Sequence, residues 1–69
     1  MRTYIERLLK KIKEIGFEKR LVLSVDIYYD DLKEQFVVKL HDSHGLNEHF
    51  RSNHIRKSLK MALKWLKSK

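Results

Sequence analysis

Residues 21–41, LVLSVDIYYDDLKEQFVVKLH, decide the fold, because apolar and polar residues alternate along both halves of this stretch. In the first half, one face holds Leu21, Leu23, Val25 and Ile27, and the other holds Val22, Ser24, Asp26 and Tyr28. In the second half, Phe36, Val38 and Leu40 oppose Gln35, Val37, Lys39 and His41. A period of two is typical of strands, and Asp30-Asp31 is a turn signal. We therefore predict an antiparallel hairpin with strands at 20–29 and 34–41.

The same alternation predicts how the two strands pair. We expect the pairs Ile27 with Phe36, Val25 with Val38, and Leu23 with Leu40. This pairing puts the large apolar side chains on one face, and a slip of one residue would break that agreement. One of the neighbours Tyr28 and Tyr29 must then lie on the opposite face.

Helical periodicity precedes the hairpin. The apolar positions Tyr4, Ile5, Leu8, Leu9, Ile12 and Ile15 follow the spacing of an amphipathic helix. Thr3 can cap its start with Glu6 as the capping-box partner, and Gly16 stands where a C′ glycine would end it. The pattern predicts a helix over residues 4–15.

A second helix is predicted at residues 52–67, capped by Ser52 or Asn53, after a polar loop at 42–51. Its apolar stripe consists of Ile55, Leu59, Ala62, Leu63 and Leu66. Residues 1–69 thus form a single small α+β domain of order α-β-β-α, with two helices packed on one face of an antiparallel hairpin. Such a sheet has two open edges. Either a third short strand lies within residues 46–50, or an edge pairs with a second copy to form a homodimer.

Composition narrows the class of protein. The chain has 69 residues, no cysteine and a net charge of +7. Disulfides, cysteine-based zinc sites and thiol nucleophiles are excluded. The uncharged run LVLSV is far shorter than the roughly 20 residues of a membrane span, and residues 1–16 lack the apolar core of a signal peptide. We expect a cytoplasmic protein of the cell or host, without a cofactor.

The positive charge is concentrated at the two ends of the chain. Residues 1–20 carry a balance of +4, residues 21–50 a balance of −4 and residues 51–69 a balance of +7. One sector of the second helix holds Arg56, Lys57, Lys60, Lys64 and Lys67, which extend over about 16 Å. Solvated lysine-rich faces usually intersperse glutamate, and this one does not. We expect it to contact nucleic acid or an acidic protein surface.

Other residues are candidates for the same contact. The cations are Arg51 before the second helix and Arg7, Lys10 and Lys11 on the first. Trp65 either stacks on a base or closes the small core, and amphipathic aromatic residues at such boundaries favour the core. No cluster of base-reading side chains lies on the basic sector, so we expect weakly sequence-specific binding.

Four histidines within 14 residues are the candidates for metal binding: His41, His44, His49 and His54. Imidazole is a common metal ligand, but the spacing H-x2-H-x4-H-x4-H matches no zinc pattern. The hairpin followed by Asn53-His54 has a likeness to ββα-metal nucleases. The general base would, however, follow the second strand instead of the first, and the long loop between the strands is missing. We therefore predict no metal site and no enzymatic activity.

The helix–strands–helix order with a basic last helix is similar to that of double-stranded-RNA-binding domains and of small toxin-type RNA binders. Those proteins have a third strand, and the similarity is one of topology that transfers no residues. The leading interpretation is a non-enzymatic nucleic-acid-binding or regulatory protein. The alternative is a protein-interaction module or inhibitor, of the kind that phages and mobile elements encode, which uses the basic helix or an open sheet edge.

Overall fold

A computed structural model describes residues 3–21 and 23–69. Its elements are α1 (Tyr4–Glu18), β1 (Ser24–Asp30), β2 (Gln35–His41), β3 (Asn47–Ser52) and α2 (Ile55–Lys67). The strands form one antiparallel sheet of order β1-β2-β3, and both helices lie on the same face of it. The α+β class and the placement of the helices are confirmed. The order is α-β-β-β-α, however, and the sheet is larger than the predicted hairpin.

The third strand, β3, occupies the second half of the segment predicted as a loop at 42–51 and extends to Ser52. Its sequence NEHFRS is polar, because it is an edge strand in which only Phe50 and Ser52 are buried. The alternative that a strand lies within residues 46–50 is confirmed. Asp42 shapes the preceding turn by accepting the amide N–H groups of His44 and Leu46 at 2.8 and 2.9 Å.

The register of the hairpin differs from the predicted one by two residues. The Cα partners are Ile27 with Val38, Val25 with Leu40, and Tyr29 with Phe36. The predicted faces survive this shift, because side chains alternate with a period of two and a slip of two leaves each on its own face. The turn between Asp30 and Gln35 sets the register, and it is stabilised by Asp30, whose carboxylate accepts the amides of Leu32 and Lys33.

Helix α1 begins as predicted and ends later than predicted. Thr3 Oγ1 accepts the amide N–H of Glu6 at 3.1 Å, which is one of the two capping-box hydrogen bonds. Gly16 does not end the helix. It is buried inside it, and a Cβ atom at this position would lie 2.5 Å from Leu23 Cδ1. The glycine therefore allows the close approach of the chain that leads into β1. The left-handed residue after the helix is Arg20, with φ of 60°.

Helix α2 begins at Ile55, and its N-cap is His54 instead of Ser52 or Asn53. Ser52 ends β3, where its hydroxyl accepts the amide of His54 and contacts the Ser58 hydroxyl at 2.9 Å. Ser58 in turn donates to the carbonyl oxygen of Phe36 at 2.9 Å. These hydrogen bonds fix the first turn of α2 above the beginning of β2.

The main core lies between the helices and the sheet. Its buried members are Ile12, Leu23, Val38, Leu40, Phe50, Leu59, Ala62 and Leu66. Val37 is also fully buried, but it lies on the opposite face, between its cross-strand neighbours Tyr28 and Arg51. Among the residues described, no helix is long and apolar enough to cross a membrane.

Candidate nucleic-acid interface

The basic face of α2 is fully available to a partner. Its members Arg56, Lys57, Lys60, Lys64 and Lys67 are all exposed, and the helix contains no acidic residue. Within residues 3–21 and 23–69, the ion pairs are His41 with Asp26 and Arg51 with Asp30, both at 2.9 Å. In that part of the chain, no carboxylate oxygen therefore lies within 4 Å of a cation of α2.

The first turn of α2 is unusual for a helix start. The His54 side chain makes no capping hydrogen bond, and the turn contains no acidic residue. Arg56 and Lys57 occupy it instead, close to the positive end of the helix dipole. Together with His54 and Lys60 they line an open polar depression. The start of α2 is thus a concentration of positive charge that the helix itself does not neutralise.

Helix α1 contributes to this surface through Tyr4. The Arg56 guanidinium and the Lys60 ammonium lie 5.3 and 5.6 Å from the centroid of the Tyr4 ring. At the opposite end, Lys19 Nζ donates to the carbonyl oxygen of Lys69. Since the two starts meet and the two ends meet, the helices run parallel. The Tyr4 ring holds two of the α2 cations in place by cation–π contacts.

The cations predicted on α1 differ in how near they lie to α2. Arg7 and Lys11 follow Tyr4 at three and seven residues, so they lie on the side of α1 towards α2. Lys10 lies further round the helix, towards solvent, where it lines a depression with Lys13, Glu14 and Phe17. The candidate interface therefore includes Arg7 and Lys11 and leaves out Lys10.

Of two further candidates, Arg51 lies away from the basic face, whereas Trp65 lies at its border and lines a depression with Lys64. Arg51 is on the face of the sheet that the helices leave open, where it donates to Asp30 Oδ2 at 2.9 Å. Trp65 packs against the core with its ring centroid 5.9 Å from that of Phe50, and Lys69 Nζ lies 4.5 Å from its centroid. Trp65 is half-buried.

The histidines are dispersed over the molecule. His41 contacts Asp26, His49 lies on the open face of β3, His44 is in the turn before it and His54 caps α2. Within residues 3–21 and 23–69, no group of three or more histidine, aspartate or glutamate side chains could hold a metal ion.

Two carboxylates in turns have lowered pKa values. The pKa of Asp30 lies below its ordinary value of 3.8 because the amide of Lys33 and the Arg51 guanidinium donate to it. The pKa of Asp42 is lowered chiefly by the amide of Leu46 and secondarily by that of His44. Both groups shape turns of the sheet, and their ionisation supports the turns that position β2 and β3.

Sequence reasoning missed the aromatic residues that border the basic face. The sequence places Tyr4 only in the core stripe, yet 43% of it is exposed beside Arg56 and Lys60. Tyr29 and Phe36 pair on the helix-covered face, next to the first turn of α2. Alternation alone indicates their face, but their position beside α2 depends on tertiary packing.

Comparison with known proteins gives no assignment for this surface. No family model, no curated protein and no solved structure matches the chain. The function is therefore argued from the geometry of the residues themselves.

Proposed function

We propose that this protein binds nucleic acid through α2 and the adjoining flank of α1. The observation that carries the proposal is the group of five exposed α2 cations with no acidic residue on the helix. Arg7 and Lys11 widen the same surface. A row of cations about 16 Å long can follow several consecutive phosphates of a backbone.

The start of α2 supports this proposal because its charges oppose the stability of the helix. Cations near a helix N-terminus are unfavourable, and acidic residues there typically contribute about 0.3–1 kcal/mol of stability. Arg56 and Lys57 have no acidic counterpart in that turn. An anionic partner would remove the repulsion, so binding and not folding is the reason to place cations there.

The order of the elements gives weaker support. The third strand, β3, completes the α-β-β-β-α order that double-stranded-RNA-binding domains have. Topology alone transfers neither residues nor function. We propose a non-enzymatic regulatory protein that recognises the phosphate backbone, with little direct reading of base pairs.

The test is the salt dependence of binding to labelled duplex and single-stranded DNA and RNA. Contacts with about five phosphates predict a slope of about −4.5 in log K against log salt, or a loss of roughly several hundredfold between about 50 and about 200 mM salt. The double variant Lys60→Glu/Lys64→Glu should abolish this salt-sensitive binding.

A matched control separates this site from general basicity. Lys60→Glu and Lys10→Glu make the same charge change at exposed positions on two helices. Only Lys60→Glu should weaken binding, by about tenfold. Absence of binding at about 50 mM salt, or equal losses in the two variants, would show that α2 is not a nucleic-acid site.

A second candidate is a protein-interaction module, and it rests on the exposed edge strand β1. Ile27, Tyr28 and Tyr29 are 38%, 43% and 47% exposed, and an unpaired apolar edge is a template for another strand. The partner would be a larger protein or a second copy of this chain. Ile27→Lys should then abolish association, as measured by sedimentation equilibrium, while Lys60→Glu/Lys64→Glu leaves it intact.

A further inference from the structure

An aromatic pair lies on the helix-covered face of the sheet and outside the main core. The ring centroids of Tyr29 and Phe36 are 5.0 Å apart at an interplanar angle of 64°. Phe36 is half-buried, whereas 47% of Tyr29 is exposed. The edge-to-face contact fixes the tyrosine ring without covering it.

The helices leave this part of β1 uncovered. The core cluster includes Leu23 and the adjoining Val25 from the first part of the hairpin, and it does not include Ile27, Tyr29 or Phe36. Helix α1 contacts the chain near Leu23, where Gly16 approaches it and Lys13 Nζ donates to its carbonyl oxygen at 2.8 Å. Towards the hairpin turn, the sheet therefore presents an apolar and aromatic surface to solvent.

The aromatic pair is adjacent to the positive start of α2. Ser58, in the helix, donates to the carbonyl oxygen of Phe36 itself at 2.9 Å. Arg56 and Lys57 precede Ser58 by two residues and one residue, and Tyr4 holds Arg56 from the α1 side. Positive charge and a fixed aromatic ring thus lie at the same end of the molecule, which is the combination that binds single-stranded nucleic acid: cations contact the backbone and the ring stacks on a base.

We propose that Tyr29 stacks on an unpaired base of a single-stranded or looped nucleic acid whose phosphates contact Arg56, Lys57 and Lys60. This inference rests on the proposed function and names the form of the ligand. A base within a regular duplex is already stacked between its neighbours and is not available to the ring. The protein should therefore prefer single strands or loops to a continuous duplex.

The neighbouring tyrosine provides a matched control. Tyr28 and Tyr29 are consecutive in β1 and are 43% and 47% exposed. Tyr28 pairs with Val37 on the face that the helices leave open, whereas Tyr29 pairs with Phe36 on the face that bears α2. The two tyrosines differ mainly in the face of the sheet on which they lie. A loss of hydrophobicity or of strand propensity should therefore have a similar effect at both positions.

The experiment compares binding of single-stranded and fully duplex oligonucleotides of one sequence, with 2-aminopurine as the reporter base. Wild type should bind the single strand more tightly and quench the fluorescence of the reporter by stacking. Tyr29→Leu should weaken single-strand binding by about tenfold and reduce the quenching. The salt slope should be unchanged, because no phosphate contact is lost. Tyr28→Leu should behave as wild type.

A rescue variant guards against a purely structural effect. Tyr29→Trp keeps an aromatic face and should retain quenching and affinity, and circular dichroism checks that each variant is folded. Equal losses in Tyr28→Leu and Tyr29→Leu, or tighter binding of the duplex, would overturn the stacking inference while salt-sensitive binding through α2 still stood. Absence of salt-sensitive binding to either form would overturn the proposed function, and this inference with it.

Discussion

Helices α1 and α2 are similar in length and amphipathicity, and they lie parallel, but they differ in where their charges lie. Helix α1 spans 15 residues, is capped by Thr3, has Glu6 in its first turn and carries three glutamates among its cations. Helix α2 spans 13 residues, has no side-chain cap and carries cations alone, two of them in its first turn. The difference lies in the first turns: the charge in that of α1 favours the helix, and the charges in that of α2 oppose it.

The comparison of the two helices is informative because both pack on the same core and both have a face exposed to solvent. Exposed lysines on α1 are interspersed with glutamates, as is usual for a surface that keeps a small protein soluble. The α2 surface lacks that balance and repels itself. Charges that oppose the stability of a helix start support the proposal that this surface binds a partner.

The largest expected effect comes from making the start of α2 resemble that of α1. Lys57→Glu places an acid in the first turn, and it should weaken nucleic-acid binding by about tenfold. The same change should stabilise the fold by about 0.3–1 kcal/mol, because the carboxylate faces the positive end of the helix. Binding titrations and urea denaturation measure the two effects.

The reciprocal change serves as the control. Glu6→Lys gives the first turn of α1 a positive charge like that of α2. It should destabilise the fold by a similar amount, and it leaves the cations of α2 unchanged. If Lys57→Glu lowers stability as well as affinity, the loss of binding follows from a weakened fold and the comparison fails.

A somewhat smaller effect is expected from exchanging the caps. Thr3→Ala removes the hydrogen bond from the Glu6 amide and should cost about 1 kcal/mol. His54→Ser gives α2 a capping hydroxyl at a residue whose backbone already has the extended N-cap conformation, and it should add about 0.5–1 kcal/mol. Chemical denaturation of both variants measures the changes in the free energy of unfolding. A loss of stability in His54→Ser would indicate that His54 contributes to the fold in another way.

The smallest effect concerns the two turns of the sheet that both helices share. The pKa values of Asp30 and Asp42 are lowered in the folded state, so their contribution to stability is present above the ordinary value of 3.8 and is lost as pH falls through the lower folded value. Thermal unfolding between about pH 5 and about pH 2 should show this decline. Asp30→Asn and Asp42→Asn should each reduce the dependence of the unfolding temperature on pH. An unchanged dependence would contradict the contribution of these carboxylates to stability.

The sequence predicts those parts of the fold that depend on local periodicity. The two helices, both faces of the hairpin and the Thr3 cap follow from spacing alone. The strand β3 has a weak signal in the sequence because NEHFRS shows little alternation, and an edge strand buries few residues. Gly16 has the sequence signature of a helix end, because its contact with Leu23 arises only in the tertiary fold.

The candidate site divides in the same way. The five α2 cations can be placed on one face from a helical wheel, and the structure adds that no carboxylate within residues 3–21 and 23–69 neutralises them. The contact of Tyr4 with Arg56 joins residues more than fifty positions apart in the chain. Such a contact has no signature in a single sequence, and neither has the position of Tyr29 beside α2.

The parallel course of the two helices has an electrical consequence for how the protein meets a charged partner. Because both starts lie at the Tyr4 end and both ends lie near Lys69, their dipoles point the same way and reinforce one another. The partial positive charges of the two helix starts therefore add to the charges of Arg56 and Lys57 at the Tyr4 end. In the proposed function, a phosphate at that end would be attracted by the backbone amides of two helices as well as by the side chains of one.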